Sequence, residues 1–170
     1  MICSKCRINV VVRNGLCYSC QPGYVPSKAG VSKVGCQWID ELEIELDIPL
    51  QHSHYDPEVP GGITRNEYRA PCLPRHAVDG YDAANKIIYE FLGDEFHGHP
   101  RLWHKRAQNL VGKLYTDVYA KTEAKFKTLT DAGYTVVYMW ESDYRVRSSE
   151  PLLERCILFE GRLHPRPDEA

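Results

Sequence analysis

The feature that most constrains this sequence is a turn signal followed by an unbroken strand-forming run within residues 79–92. The residues at 82–85, Asp-Ala-Ala-Asn, have the composition of a turn, and 86–92 is rich in the apolar and aromatic residues that strands favour. If the turn is centred between Ala84 and Asn85, residues whose numbers sum to 169 lie opposite each other. The sequence therefore predicts a β-hairpin in which Asp79 faces Glu90.

Two carboxylates facing each other across a hairpin repel, because cross-strand partners lie only about 4.5–5.5 Å apart at Cβ. A divalent cation between Asp79 and Glu90 would remove the conflict. The alternative is that Asp79 is an ordinary turn residue and Glu90 a solvated strand residue. The metal site is favoured because the strand runs directly into flexible and titratable residues, namely Gly93, Asp94, His97 and His99.

The composition excludes some classes of protein but does not identify a single class. A chain of 170 residues with 43% hydrophobic residues can build one ordinary domain and a small appendage. The formal charge of −2 gives no global basic field, so any nucleic-acid surface must be local. The sequence contains no 18-residue apolar run, and its first residues lack the apolar core of a secretory signal. These observations predict an intracellular location, in a bacterium or in the host cell of a phage or virus, and no membrane partner.

Four of the seven cysteines have the spacing of a zinc site. Two CxxC pairs, Cys3 with Cys6 and Cys17 with Cys20, bracket a segment that contains the hairpin-turn signal Asn14-Gly15. Four thiolates arranged in this way form a closed tetrahedral structural Zn²⁺ site. The alternative is two redox or disulfide pairs. We expect a zinc ribbon at 1–22, a Pro/Gly/Ser linker at 23–31 and a second domain at 32–165.

A helix is expected from Ser32, a candidate N-cap, up to the break at Pro49. Its apolar residues recur every four positions, at Val34, Trp38, Leu42 and Leu46. On a helical wheel Glu41 falls at the margin of this stripe. An acid on the core-facing side is costly unless it is paired or meets a metal, so Glu41 is a candidate third site acid. The alternative is a boundary residue whose carboxylate reaches water.

Further elements follow from turn residues and apolar periodicity. We expect strands at Leu50–His54, 64–70, His76–Tyr81 and Tyr134–Trp140, and a helix at Leu102–Leu129 that ends at Asp131-Ala132-Gly133. The basic residues of this helical stretch, Lys125 among them, are expected on exposed faces, where they could follow a DNA backbone. The pattern is that of an α/β domain.

Four segments, taken in order, resemble the very-short-patch-repair-like branch of the PD-(D/E)XK nuclease superfamily. They are Val78-Asp79-Gly80, the strand Ile87–Gly93, Phe96–Pro100, and Val136–Glu141, and the resemblance runs from about Ser32 to Arg145. It implies a mixed central β-sheet flanked by helices, the restriction-endonuclease-like fold. It also implies that Asp79 binds Mg²⁺, that Glu41 assists, and that His97 and His99 handle water and the scissile phosphate. The superfamily's lysine two residues after the second acid is absent, because Leu92 occupies that position, so a histidine would have to substitute.

The function expected on these grounds is Mg²⁺-dependent hydrolysis of DNA phosphodiester bonds. His97 is the expected general base, because imidazole accepts a proton near neutral pH. His99 would steady the phosphate or protonate the leaving oxygen, and Asp94 would orient one imidazole. Two alternatives stay open: a non-catalytic zinc-ribbon adaptor that binds nucleic acid or protein, and a nuclease directed at RNA.

Overall fold

The structure is a computed structural model that describes residues 4–5, 32–55, 58, 63–64, 66–146 and 148–169. The predicted zinc ligands Cys3, Cys6, Cys17 and Cys20 and the predicted linker 23–31 lie outside the described residues. The zinc ribbon therefore stays a prediction from the sequence.

The chain divides into two compact units. The described residues of one, 32–92 and 123–164, contain every sheet strand, and we call it the sheet unit. The described residues 93–122 and 165–169 belong to the other, which we call the histidine unit because His97 and His99 lie in it.

Helix α1, Lys33–Leu46, begins where the sequence predicts. The Ser32 hydroxyl oxygen accepts a hydrogen bond from the Gly35 N–H at 2.9 Å, which confirms Ser32 as the N-cap. The helix ends before Asp47, whose left-handed backbone (φ 53°) forms the C-cap.

The strands of the described residues are β1 (Gln51–His52), β2 (His54–Tyr55), β3 (Ile63–Thr64), β4 (Gly80–Asp82), β5 (Ile87–Leu92), β6 (Thr135–Trp140) and β7 (Ile157–Leu158). Five of them form a mixed sheet in the order β1-β4-β5-β6-β7, and β2 and β3 form a separate antiparallel pair. In the five-stranded sheet β5 and β6 are parallel and every other neighbouring pair is antiparallel. Helices flank the sheet, so the α/β class and the mixed sheet are confirmed.

The central hairpin has the predicted register. Gly80 lies opposite Tyr89 and Asp82 opposite Ile87, so the paired residue numbers sum to 169. The turn is held by the Asp82 carboxylate, which accepts hydrogen bonds from the N–H groups of Ala84 (3.1 Å) and Asn85 (3.3 Å). Asp79 therefore lies one residue before β4, at the position that continues the ladder toward Glu90.

The core lies on both faces of β5 and β6. On one face α1 packs Trp38, Ile39 and Leu42 into a cluster with β5 and β6 residues Tyr89, Phe91 and Met139. Since side chains alternate along a strand, Glu90 projects to the other face, that of Ile88 and Leu92. Helix α3 spans Tyr115–Asp131, and its sheet-unit part, 123–131, packs on that face: the rings of Phe126 and Tyr138 lie 5.5 Å apart.

The helix expected at Leu102–Leu129 begins only at Tyr115, so the prediction for its first half was wrong. Within 103–114 the Asn109 side-chain oxygen accepts hydrogen bonds from the N–H groups of Val111 (3.1 Å) and Lys113 (2.9 Å). Such bonds offer the backbone an alternative to the helix, and Gly112 there has a left-handed φ of 82°. The predicted end at Asp131 and the following strand are confirmed.

Two predicted strands are much shorter than expected. The strand expected at 64–70 covers only Ile63–Thr64, and that expected at His76–Tyr81 begins at Gly80. Between them the chain forms tight turns, in which the N–H of Leu73 donates to Ala70 O and that of His76 to Leu73 O. Pro71 and Pro74 lie in this segment and have no N–H to donate to a ladder.

The histidine unit holds α2, Asp94–His97, a 3-10 turn at Pro100–Leu102 and the first part of α3. Tyr115 OH donates to Glu95 at 2.8 Å, and the rings of Trp103 and Tyr119 lie 5.6 Å apart. In the sheet unit two further short helices follow β6, α4 (Glu141–Tyr144) and α5 (Leu152–Arg155).

None of the helices found in the described part of the chain has both the length and the apolar character needed to cross a membrane.

Candidate functional site

Asp79 and Glu90, the two acids of the predicted site, are tied to neighbouring backbone in the sheet unit. Glu90 lies on β5 with 3% of its surface exposed. Asp79 precedes β4, and its Oδ2 accepts a hydrogen bond from the N–H of Phe91, the residue after Glu90, at 2.7 Å. This bond fixes the Asp79 carboxylate against the strand that carries Glu90.

Lys125 on α3 forms an ion pair with one of the two acids, Glu90. Its Nζ lies 2.7 Å from Glu90 Oε1 and 3.3 Å from Ala77 O. Only 22% of the lysine side chain is exposed, so the expectation that it lies on an exposed face was wrong. The sequence contained a signal, because Lys125 follows Thr122 by three residues and precedes Leu129 by four, which puts the three on one side of a helix. Thr122 and Leu129 are both buried in the structure.

Asp79, Glu90 and Lys125 shift one another's pKa values. Burial raises the pKa of Glu90 to about 7, Lys125 opposes that shift and Asp79 adds to it. Burial also raises the pKa of Asp79, against the opposing effects of Lys125 and the Phe91 hydrogen bond. Burial lowers the pKa of Lys125, but the carboxylates, Glu90 foremost, outweigh it and the pKa ends above its ordinary value. The lysine is therefore a cation at neutral pH and cannot serve as a base.

A third acid, Glu67, approaches Asp79. Both residues line a cavity of about 10 Å³ whose other walls are Gly35, Cys36, Ile39 and Ser53. The negative charge of Glu67 contributes to the raised pKa of Asp79. A volume of this size holds about one water-sized species. Sequence analysis gave Glu67 no role and placed it in the strand expected at 64–70, whereas the structure has irregular backbone at 66–70.

Glu41 does not face the core. It is exposed on α1, where its carboxylate accepts hydrogen bonds from Tyr144 OH (3.0 Å) and Gln37 Nε2 (3.2 Å). The expectation from the helical wheel was wrong because the buried side of α1 is centred on Trp38, Ile39 and Leu42. None of these contacts connects Glu41 to the acids of the sheet.

The two predicted histidines have defined hydrogen bonds within the histidine unit. His97 Nδ1 lies 2.9 Å from the Thr122 hydroxyl, which itself donates to Val118 O at 2.9 Å. The hydroxyl therefore accepts from His97, which places the proton of a neutral ring on Nδ1 and the lone pair on Nε2. His99 has the opposite arrangement, because its Nδ1 accepts from the Arg101 N–H at 3.2 Å.

Asp94 is buried, and its carboxylate binds the Arg101 guanidinium through Nε at 2.7 Å and through a terminal nitrogen at 2.6 Å. The sequence assigned Asp94 to orient an imidazole. In the structure its carboxylate forms this ion pair with Arg101. The roles of His97 and His99 stay predictions, since these residues belong to a different unit from Asp79 and Glu90.

One further group of side chains in the sheet unit has the geometry of a metal site. Among the residues described, the only set of three or more His, Cys, Asp or Glu side chains whose ligand atoms all lie within 4.8 Å is Asp40, His52 and His54. Sequence reasoning missed it because α1 and the strands that carry the histidines meet only in the tertiary fold. Asp79 and Glu90 are not part of such a set among the described residues.

Comparisons of the chain with protein-family models, with curated proteins and with solved structures found no match. The superfamily resemblance thus stays a prediction based on sequence motifs.

Proposed function

We propose that this protein is a metal-dependent endonuclease that hydrolyses DNA phosphodiester bonds, with Asp79, Glu90 and Lys125 at its centre. The observation that carries the proposal is the half-buried Asp79, next to β4, together with the buried Glu90 of β5 and its ion pair with Lys125 of α3. Buried acids with raised pKa values next to a specific charged partner are characteristic of functional sites.

The donor set fits Mg²⁺ or Mn²⁺. Both acids supply the hard oxygen ligands that Mg²⁺ prefers, and Mg²⁺ commonly takes only one or two carboxylates from the protein, with water and phosphate oxygens completing the shell. When bound, such an ion polarises the phosphate and lowers the pKa of a coordinated water. Asp79 and Glu90 would hold it, and Glu67 adds negative charge beside Asp79.

Lys125 supplies the positive charge that the superfamily's usual lysine, absent from this chain, would otherwise provide. Leu92 stands two residues after Glu90, and the amine reaches Glu90 from α3 instead. Because this amine stays protonated, its role is electrostatic: it neutralises the acids and stabilises negative charge that develops on the phosphate.

Proton transfer is assigned to the histidines, as the sequence predicts. The hydrogen bond to Thr122 puts the proton of neutral His97 on Nδ1, which is compatible with a general-base role for the other ring nitrogen. His99 is assigned to the phosphate or the leaving oxygen.

The test is cleavage of supercoiled plasmid by the purified protein in Mg²⁺ and in Mn²⁺, comparing the wild type with Asp79→Asn. A panel of single-stranded, duplex, mismatched and branched DNA, with RNA as a separate arm, defines the substrate. Cleavage by the wild type and none by Asp79→Asn supports the proposal. Equal cleavage by both proteins overturns the assignment of the site.

The second candidate is a non-catalytic zinc-ribbon adaptor. It is favoured by the ion pair itself, because Lys125 already compensates Glu90 without any metal. Calorimetric titration with Mg²⁺ separates the two: the adaptor would show no binding that depends on Asp79.

A further inference from the structure

We propose that Asp40, His52 and His54 bind a first-row transition-metal ion, for which Zn²⁺ is the best fit, and that this ion clamps α1 to the segment 52–54. The inference does not depend on the proposed nuclease function, since none of these residues belongs to the Asp79, Glu90 and Lys125 centre.

The spacing of the ligand atoms matches coordination of one ion. Asp40 Oδ1 lies 3.5 Å from His54 Nδ1 and 3.8 Å from His52 Nε2. These separations exceed the ordinary hydrogen-bond range of about 2.7–3.2 Å. Ligands that surround a tetrahedral Zn²⁺ at about 2.0–2.2 Å lie roughly 3.4 Å from one another. The side chains are thus arranged around a common point rather than bonded to each other.

His52 provides the independent evidence for a ligand. The residue is fully buried, and its Nδ1 lies 2.9 Å from Ser53 O. A carbonyl oxygen only accepts, so Nδ1 carries the proton and Nε2 of the neutral ring presents its lone pair. Nε2 is buried and has no hydrogen-bond partner among the described residues. An imidazole that donates one N–H to a backbone carbonyl and points the other nitrogen into a cluster is the usual arrangement of a metal-binding histidine.

The type of ion follows from the donors. Two imidazole nitrogens with one carboxylate suit Zn²⁺ and its first-row neighbours, whereas Mg²⁺ and Ca²⁺ prefer oxygen ligands alone. The side chains of Asp40 and His54 are 46% and 49% exposed, so an ion can enter from solvent. Glu43 adds negative charge, with Oε2 at 3.6 Å from His52 Nε2.

The alternative is a protonated His52 held by Asp40 and Glu43. An imidazolium would donate a hydrogen bond from Nε2, but the carboxylate oxygens lie at 3.8 and 3.6 Å, beyond that range. Glu43 Oε2 is moreover already engaged, because it accepts the Leu50 N–H at 2.6 Å.

The experiment uses the full chain and four proteins: wild type, Asp40→Asn, His54→Gln and the control His76→Gln, an exposed histidine of the same unit. Zinc content after dialysis and Zn²⁺ affinity by calorimetry are measured for each, with circular dichroism to confirm folding. Any zinc held by the N-terminal cysteines is common to all four proteins and cancels in the comparison. We expect wild type and His76→Gln to bind one more equivalent than the two ligand variants. Because loss of outer-shell partners alone typically weakens metal binding about 10–100-fold, each ligand variant should lose at least about 100-fold in affinity.

Nitrogen-15 NMR of the imidazole side chains gives a second readout that does not depend on how well the variants fold. Addition of Zn²⁺ to the wild type should shift His52 Nε2 and His54 Nδ1, and leave His76 unchanged. Equal zinc content in all four proteins, an imidazolium signal from His52 at neutral pH, or binding of Mg²⁺ at this site as tight as that of Zn²⁺ would overturn the proposal.

Discussion

Lys125 Nζ lies 2.7 Å from Glu90 Oε1, although the two residues are 35 positions apart in the chain. The contact joins α3 to β5 and brings a permanent cation to the acid that the hairpin had already placed near Asp79. The hairpin, a local feature of the sequence, supplies the two acids. The lysine comes from a helix that is distant in the sequence.

Asp79→Asn should abolish Mg²⁺-dependent cleavage of DNA. The amide oxygen can still accept the Phe91 N–H, so the fold is retained while the charge is lost. We expect the cleavage rate to fall by roughly 100-fold or more, since several kcal/mol of charge stabilisation depend on the ion. Thermal melts should show both proteins folded. Glu41→Gln is the matched control, because Glu41 is exposed and contacts Tyr144; its cleavage rate should equal that of the wild type.

Lys125→Met should destabilise the protein and inactivate it. Removing one partner of a buried ion pair leaves the other uncompensated, which typically costs about 3–5 kcal/mol. Lys127→Met, on the exposed side of the same helix, should change the free energy of unfolding by less than about 0.5 kcal/mol. Urea unfolding of both variants measures the difference. Equal stability of the two would show that the pair contributes nothing.

The cleavage rate at subsaturating Mg²⁺ should rise with pH through about 7. Burial raises the pKa of Glu90 to about 7, and only the ionised carboxylate binds the ion. Saturating Mg²⁺ should move the midpoint to lower pH, because the ion favours the ionised form. A pH–rate profile at two Mg²⁺ concentrations tests this, and a midpoint that does not depend on Mg²⁺ would contradict it.

Glu90 should also make folding stability depend on pH. Its folded pKa, about 7, lies above its ordinary value of 4.5. The protonated form therefore favours the folded state, and this contribution is complete below about pH 4.5 and is lost as the pH rises through about 7. Comparing the pH dependence of urea unfolding for the wild type and Glu90→Gln isolates the effect. The difference between the two proteins should change across this window and be constant outside it.

Replacing both Cys3 and Cys6 by serine should remove one equivalent of zinc and unfold residues 1–22, leaving the α/β domain folded. Structural zinc sites supply the folding free energy of such small segments. Cys72→Ser is the control, because that thiol is exposed and free. Elemental analysis of zinc and amide hydrogen exchange of the two proteins test the prediction. Absence of zinc from the purified wild type would contradict it.

The sequence by itself determined the features that depend on residues close in the chain. The hairpin register follows from the Asp82 turn, the start of α1 from the Ser32 cap, and the end of α3 from Gly133. Each is an interaction spanning a few residues, so the local pattern contains the necessary information.

Only the tertiary structure decided which charged side chains meet. Glu41 and Asp40 are neighbours on α1, yet Asp40 approaches His52 and His54 while Glu41 contacts Tyr144. Lys125 is one of several lysines on α3, and the packing of that helix on the sheet brings it to Glu90. Two lysines or two acids on the same helix have the same local preferences, so the local sequence does not distinguish them. Burial of apolar residues against distant parts of the chain sets the rotation of each helix, and this rotation decides which charged side chains form a site.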